Sequence, residues 1–144
     1  MSAPVLFVAE PPPQYLPRPP MVVDCSALAG VLFQEPCMDQ AVQRLSGHRL
    51  CAPHLLQAEI CSVAVKKARL GAAEAAAEGL AQWQNVAVEL TDFDVQQTFE
   101  LARRYQLCAY DASYLWLADQ LRCPLATFDA KLAAAATAHL GALE

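Results

Sequence analysis

Short apolar runs and longer amphipathic stretches alternate along the chain after residue 20. Met21, Val22 and Val23 form a continuous apolar run, which is typical of a strand that is buried on both faces of a parallel sheet. Similar runs recur at intervals that leave room for one or two helices between them. The predicted strands are residues 21–23, 49–52, 86–90 and 125–127, with a weak fifth strand near Leu140.

The stretches between these runs have helical periodicity and recognisable ends. Gly71 and the Ser46–Gly47 pair are typical of the end of a helix, and Thr91 or Asp92 is suited to cap the start of one. Strands that alternate with helices predict an α/β fold with a parallel sheet and helices on both faces. The predicted helices are residues 26–33, 38–45, 53–70, 72–84, 91–105, 111–121 and 131–138.

Composition narrows the class of protein. Hydrophobic residues make up 56% of the 144 residues and charged residues 17%, which excludes a disordered chain. The net charge of −5 argues against a protein that binds nucleic acid only by covering phosphates with positive charge. No apolar run approaches the roughly 18 residues of a membrane span, and no signal peptide is evident, so we expect a cytoplasmic protein. The six cysteines lack CxxC spacing and are expected to be free thiols.

The first 20 residues differ from the rest because they contain seven of the ten prolines. Such a segment cannot form a regular helix or strand and predicts an extended arm. We therefore divide the chain into a Pro-rich N-terminal arm, residues 1–20, and one globular domain, residues 21–144. Met21 is a hypothetical alternative start, which the intact mass of the natively expressed protein tests.

Four carboxylates stand where a parallel sheet would bring them together. Asp24 and Asp129 follow predicted strands, Asp111 opens a predicted helix, and Glu59 lies in an apolar helical segment without a basic residue within four positions. Ligands bind beyond the carboxyl ends of the strands in such sheets. Each aspartate alone is also explained as a helix cap or first-turn residue, and Glu59 as part of a solvated face. Together they indicate a Mg²⁺ or Mn²⁺ site, because a hard cation removes the repulsion among clustered carboxylates.

In their order and spacing, these residues resemble the motifs of PIN domains of the VapC type. The resemblance extends from residue 21 to about residue 140. The second motif is the helix that contains Glu59. The other three are VVDCSAL at 22–28 with Glu35 and Pro36 after it, YDASY at 110–114 with Ala118, and LATFDAKL at 125–132.

The resemblance implies a PIN-like three-layer fold, with a five-stranded parallel sheet flanked by helices. It also implies a Mg²⁺- or Mn²⁺-dependent ribonuclease that leaves a 5′-phosphate and a 3′-hydroxyl, often the toxin of a toxin–antitoxin pair. Asp24, Glu59, Asp111 and Asp129 match the acidic catalytic and metal-binding quartet. Ser26 and Thr127 match supporting positions beside the ligands.

Partners follow from the same reasoning. Candidate RNA contacts are the basic residues of three helices, although each is equally explained as part of a solvated helix face. Leaving the quartet out of the count changes the net charge from −5 to −1, so the acidity does not argue against RNA. The Ala-rich apolar helices of residues 53–84, together with the resemblance, predict a homodimer that also binds an antitoxin. The RNA candidates are Lys66, Arg69, Arg103, Arg104 and Lys131.

Three alternatives remain beside the nuclease. A PIN-like binding domain without catalysis would need a degraded quartet, and all four acids are present. A receiver-like regulatory domain would need paired acids after the first strand, which are absent. His48, Cys51 and His54 have a spacing of three residues, but without further nearby ligands they do not make a convincing zinc site.

Overall fold

Four parallel strands form one sheet in a computed structural model that describes residues 4–9, 11–12 and 17–144. The spatial order is β3-β2-β1-β4, and every neighbouring pair is parallel. Val22 pairs with Cys51 on one side and with Leu125 on the other, so β1 is flanked by strands on both edges. The strands are β1 (Pro20–Val23), β2 (Arg49–Pro53), β3 (Val88–Thr91) and β4 (Leu125–Ala126).

Seven helices connect and cover these strands in the part of the chain that the structure describes. Val22 and Cys51 point into the larger core, where Leu28, Ile60 and Leu115 are almost completely buried. Met21 and Val23 point to a smaller cluster with Leu45. The helices are α1 (Cys25–Leu32), α2 (Met38–Leu45), α3 (Leu55–Arg69), α4 (Ala73–Trp83), α5 (Val95–Tyr105), α6 (Ala109–Leu121) and α7 (Ala130–Leu140).

The expected fifth strand is the main correction to the predicted fold. Leu140 is the last residue of α7, and the described chain has four strands instead of five. Six alanines lie in the sequence of this helix, AKLAAAATAHL, and alanine has the highest helix propensity of all residues. Leu140 also packs partly buried against the main core from its helical position. Helix propensity and packing therefore extend α7 to the point where a strand was expected.

Several element boundaries also differ from the prediction. Pro53 ends β2, pairing with Thr91, and α3 begins two residues later. Asp94, and not Thr91 or Asp92, caps α5, because its carboxylate accepts the backbone N–H of Gln97 at 2.8 Å. These shifts leave the order of elements as predicted.

The N-terminal arm has no helix or strand within its described residues 4–9, 11–12 and 17–19. Val5, Leu6, Phe7 and Val8 are all at least 70% exposed. The rest of the predicted arm, residues 1–3, 10 and 13–16, lies outside the described residues, and β1 begins at Pro20. Among the described helices, none combines the length and apolar character that crossing a bilayer requires.

Candidate functional site

Asp24 lies at the carboxyl end of β1 and is 5% exposed. Its Oδ1 accepts hydrogen bonds from the Ser26 hydroxyl at 2.7 Å and from the backbone N–H of Ala27 at 3.0 Å. Its Oδ2 accepts a short hydrogen bond from the Thr127 hydroxyl. Asp24 therefore caps α1, as the cap interpretation of the sequence requires, while its second oxygen is held by the segment after β4.

Ser26 and Thr127 join the ends of β1 and β4. The Ser26 Oγ accepts the backbone N–H of Phe128 at 2.8 Å, and the Thr127 Oγ1 accepts that of Asp129 at 2.9 Å. The two hydroxyl oxygens are 3.3 Å apart. Since both hydroxyls also donate to Asp24, they orient its carboxylate and the turn that leads to Asp129. The structure thus places both predicted supporting residues in contact with Asp24, and their role beside a metal ligand stays a prediction.

Asp129 and Asp111 both lie at the beginning of a helix. Asp129 caps α7, where its Oδ1 accepts the backbone N–H of Leu132 at 2.9 Å, and the residue is exposed. Asp111 is in the first turn of α6 and is partly buried. The Sγ of Cys108, the N-cap of α6, accepts the backbone N–H of Asp111 at 3.4 Å. The positive end of the α6 dipole favours a carboxylate at this position.

Glu59 reaches the site from α3 and is partly buried. Its Oε1 accepts a hydrogen bond of 2.6 Å from the Tyr114 hydroxyl, on α6. Tyr114 is 1% exposed, and the sequence interpretation missed its polar contact with Glu59. The available signal was its spacing, since Tyr114 comes three residues after Asp111 and such residues share one face of a helix.

The four carboxylates repel one another. Burial raises the pKa of Asp24, although Thr127, Ser26 and Ala27 donate hydrogen bonds that lower it, and the charge of Asp129 raises it further. Burial also raises the pKa of Glu59, to which the charges of Asp111 and Asp24 add. For Asp111, burial is again the largest cause, followed by the charge of Asp129. The structure thus brings all four predicted acids into one electrostatic cluster.

Positive charge near this cluster is sparse. None of the salt bridges among the described residues includes a member of the quartet. Lys131 lowers the pKa of Asp111 slightly, and Lys66 is close enough to lower that of Cys25. The structure therefore places two of the predicted RNA-binding residues near the acids. The other three, Arg69, Arg103 and Arg104, are not among the charges that shift the pKa of Asp24, Glu59 or Asp111.

The donor set of this cluster suits a hard divalent cation. It offers carboxylate and hydroxyl oxygens, the ligands that Mg²⁺ and Mn²⁺ prefer. Cys25, beside Asp24, remains a neutral thiol because burial first, and then the charges of Glu59 and Asp24, raise its pKa to about 12. Among the described residues, no group of three or more His, Cys, Asp or Glu side chains that could hold a metal ion is found. The four carboxylates repel one another and have no salt-bridge partner among the described residues. A divalent cation bound between them would relieve this repulsion.

Comparison with known proteins agrees with this geometry. The model of the PIN domain family matches residues 21–138. VapC ribonuclease Mb0985 of Mycobacterium bovis and Ribonuclease VapC9 of Mycobacterium tuberculosis are each 40% identical over 117 residues, covering 78% of this chain and 87% of the relative. The crystal structure of PAE2754 from Pyrobaculum aerophilum has the same fold, with a TM-score of 0.64 and 24% identity over 87% of this chain and 91% of that chain.

The family match extends from the second residue of β1 to two residues before the end of α7. Its range includes all four acids and both supporting hydroxyl residues. The chain therefore belongs to the PIN domain family and, within it, to the VapC ribonucleases.

Proposed function

We propose that this chain is a metal-dependent endoribonuclease that hydrolyses RNA phosphodiester bonds, as the toxin of a toxin–antitoxin pair. The observation that carries the proposal is the convergence of four carboxylates from β1, α3, α6 and α7, none of which forms a salt bridge among the described residues. The VapC ribonucleases at 40% identity support the reaction type.

Asp24, Glu59, Asp111 and Asp129 would hold Mg²⁺ or Mn²⁺. When bound, such an ion supplies activation of water and stabilisation of negative charge on a phosphoryl oxygen. The hydroxyls of Ser26 and Thr127 orient the Asp24 carboxylate in the folded protein. The carboxylate therefore does not have to be ordered again when a metal ion binds. Asp111 and Asp129 lie at helix N-termini, where the helix dipole favours a carboxylate.

The chain's own cations would bind the RNA backbone. Lys131 lies two residues after Asp129 and is exposed, and Lys66 is exposed on the same helix as Glu59. Both are therefore in a position to contact phosphates that flank the scissile bond. The more distant Arg69, Arg103 and Arg104 would extend the contact for longer RNA substrates.

We also propose an oligomeric state, a localisation and a protein partner for this chain, on the basis of its sequence. The active protein is a cytoplasmic homodimer of domains formed by residues 21–144, and the arm of residues 1–20 lies outside the nuclease domain. A cognate antitoxin binds the toxin and suppresses cleavage. Light scattering at micromolar concentrations checks the dimer, since a monomeric mass would contradict it.

Cleavage of a mixed RNA pool tests the nuclease. Purified protein, free of antitoxin, is incubated with Mg²⁺ or Mn²⁺ and, in parallel, with EDTA. We expect cleavage that requires the metal and is lost in Asp24→Asn. Asp39→Asn is the matched control, because Asp39 is an exposed aspartate on α2 outside the cluster, and it should cleave like the parent.

Two results would contradict the proposal. Undiminished cleavage in EDTA would exclude metal dependence. Absence of cleavage by the folded protein with either metal would favour the PIN-like binding domain instead. Circular dichroism of Asp24→Asn shows whether lost activity reflects chemistry or lost folding.

A further inference from the structure

Tyr114 links the two helices that carry Glu59 and Asp111. It is in the middle of α6, one turn after Asp111, and its side chain is almost completely buried. Its hydroxyl donates to the Oε1 of Glu59 at 2.6 Å, across 55 residues of sequence. Within the described residues, Glu59 has no other side-chain hydrogen bond and no salt bridge. Tyr114 is therefore the anchor of this carboxylate.

Glu59 needs such an anchor more than Asp24 and Asp129 do. Its longer side chain has more rotatable bonds, and the charges of Asp111 and Asp24 repel it. Asp24 and Asp129 are held by backbone N–H groups at helix N-termini, whereas Glu59 is in the second turn of α3, where the N–H groups bond within the helix. Without the Tyr114 hydroxyl, we expect the carboxylate to turn away from the other acids towards solvent.

The chemistry of the phenol suits this role. Burial, together with the hydrogen bond to Glu59, raises the pKa of Tyr114, so the group stays a neutral donor. A phenol has one proton to donate, and that proton engages one oxygen of Glu59. The second oxygen, Oε2, is left for another partner.

We propose that Tyr114 is a positioning residue, which holds Glu59 so that a single carboxylate oxygen is presented to a divalent cation beside Asp111. The inference rests on the proposed metal-dependent function and adds a residue to it. Hydrogen-bond partners that orient ligands typically change metal affinity by about 10- to 100-fold when removed.

Calorimetric titration of the metal-free protein with Mn²⁺ tests this role independently of RNA cleavage. Tyr114→Phe removes only the hydroxyl, and we expect Mn²⁺ binding to weaken about 10-fold. Tyr105→Phe is the matched control. The Tyr105 hydroxyl also makes one hydrogen bond between helices, at 2.9 Å to the Nδ1 of His139, but no acid of the cluster is involved. Tyr105→Phe should bind Mn²⁺ like the parent protein.

A double-mutant cycle separates positioning from a general structural effect. If Tyr114 acts through Glu59, then Tyr114→Phe should cause no further loss of Mn²⁺ affinity in a Glu59→Gln background. Additive losses would overturn the proposal. Equal Mn²⁺ affinities of Tyr114→Phe and the parent would overturn it as well.

Two further measurements make the outcome unambiguous. If Tyr114→Phe does not fold, Glu59→Asp replaces it, since this change keeps the charge but shortens the side chain beyond reach of the hydroxyl. Parent-like Mn²⁺ affinity in Glu59→Asp would then contradict the positioning role. If the parent protein itself binds no Mn²⁺, the proposed function fails, and this inference fails with it; if the parent binds, only the role of Tyr114 is in question.

Discussion

The two ends of helix α6 each carry an aspartate, and the two aspartates have opposite kinds of charged neighbours. Asp111, in the first turn, lies among three other carboxylates and no salt bridge within the described chain includes it. Asp119, near the last turn, has its Oδ2 2.5 Å from the Nε2 of His139 and its Oδ1 3.7 Å from an Arg122 nitrogen. The same residue type on one helix is therefore unpaired at one end and paired at the other.

The Asp119 end connects three helices. His139, on α7, is 9% exposed, and its second ring nitrogen is hydrogen-bonded to the hydroxyl of Tyr105 on α5. Tyr105, His139 and Asp119 each have a hydrogen-bond partner within this group of three, as buried polar groups normally do. The Asp111 end lacks such partners, although the same fold supplies them 8 residues away. The proposed divalent cation would account for this difference between the two ends.

Activity should show the largest contrast between the two aspartates. Asp111→Asn is expected to lower RNA cleavage about a thousand-fold, because a lost metal ligand removes several kcal/mol of transition-state stabilisation. Asp119→Asn should leave the cleavage rate within about twofold of the parent, since it lies outside the acidic cluster. Rates measured with excess Mn²⁺ check both variants. Similar losses in both would show that the two ends are not functionally distinct.

Stabilisation of the folded protein by Mn²⁺ should depend on Asp111 and not on Asp119. At a free Mn²⁺ concentration of 100 times Kd, the parent protein should gain about 2.7 kcal/mol in its free energy of unfolding. We expect a comparable gain in Asp119→Asn and almost none in Asp111→Asn. Urea denaturation with and without the ion measures these gains. A full gain in Asp111→Asn would exclude Asp111 as a ligand.

Stability of the metal-free protein should depend more strongly on the Asp119 end. His139→Ala removes the group that joins Asp119 to Tyr105, so both lose a buried partner, and we expect a loss of about 2–3 kcal/mol. In contrast, Asp111→Asn removes a repelled charge and should leave the metal-free protein at least as stable as the parent. Denaturation in EDTA compares the two variants. A destabilised Asp111→Asn would mean that this carboxylate has a structural partner.

The smallest expected effect is on the pH dependence of the metal-free protein. The pKa values of Asp24, Glu59 and Asp111 are raised above their ordinary values of 3.8 to 4.5. The folded state therefore binds protons more tightly than the unfolded state, so its stability falls as pH rises through the raised values. In EDTA, the urea midpoint should increase when the pH is lowered from 7 towards the raised pKa values of these carboxyl groups. This increase should shrink in Asp111→Asn, and an unchanged slope would contradict the assignment.

The contrast also shows where prediction from the sequence succeeds. Asp24 and Asp129 were recognisable because each follows an apolar run, and parallel strands end at one edge of a sheet. Their roles as ligands stay predictions, but their proximity is a property of the structure. The prediction of a fifth strand was wrong because Leu140 belongs to an alanine-rich helix. A short apolar run in the sequence does not distinguish a strand from the end of a helix.

The sequence by itself determined the alternation of strands and helices, the parallel sheet that follows from it, and the edge at which the acids gather. These features depend on local periodicity and on general rules of chain connection. Only the tertiary structure decided that Tyr114 holds Glu59, that Thr127 holds Asp24 across 103 residues, and that Asp119 is paired with His139. Such contacts depend on how helices cross and pack, which the hydrophobic pattern of each helix alone does not specify.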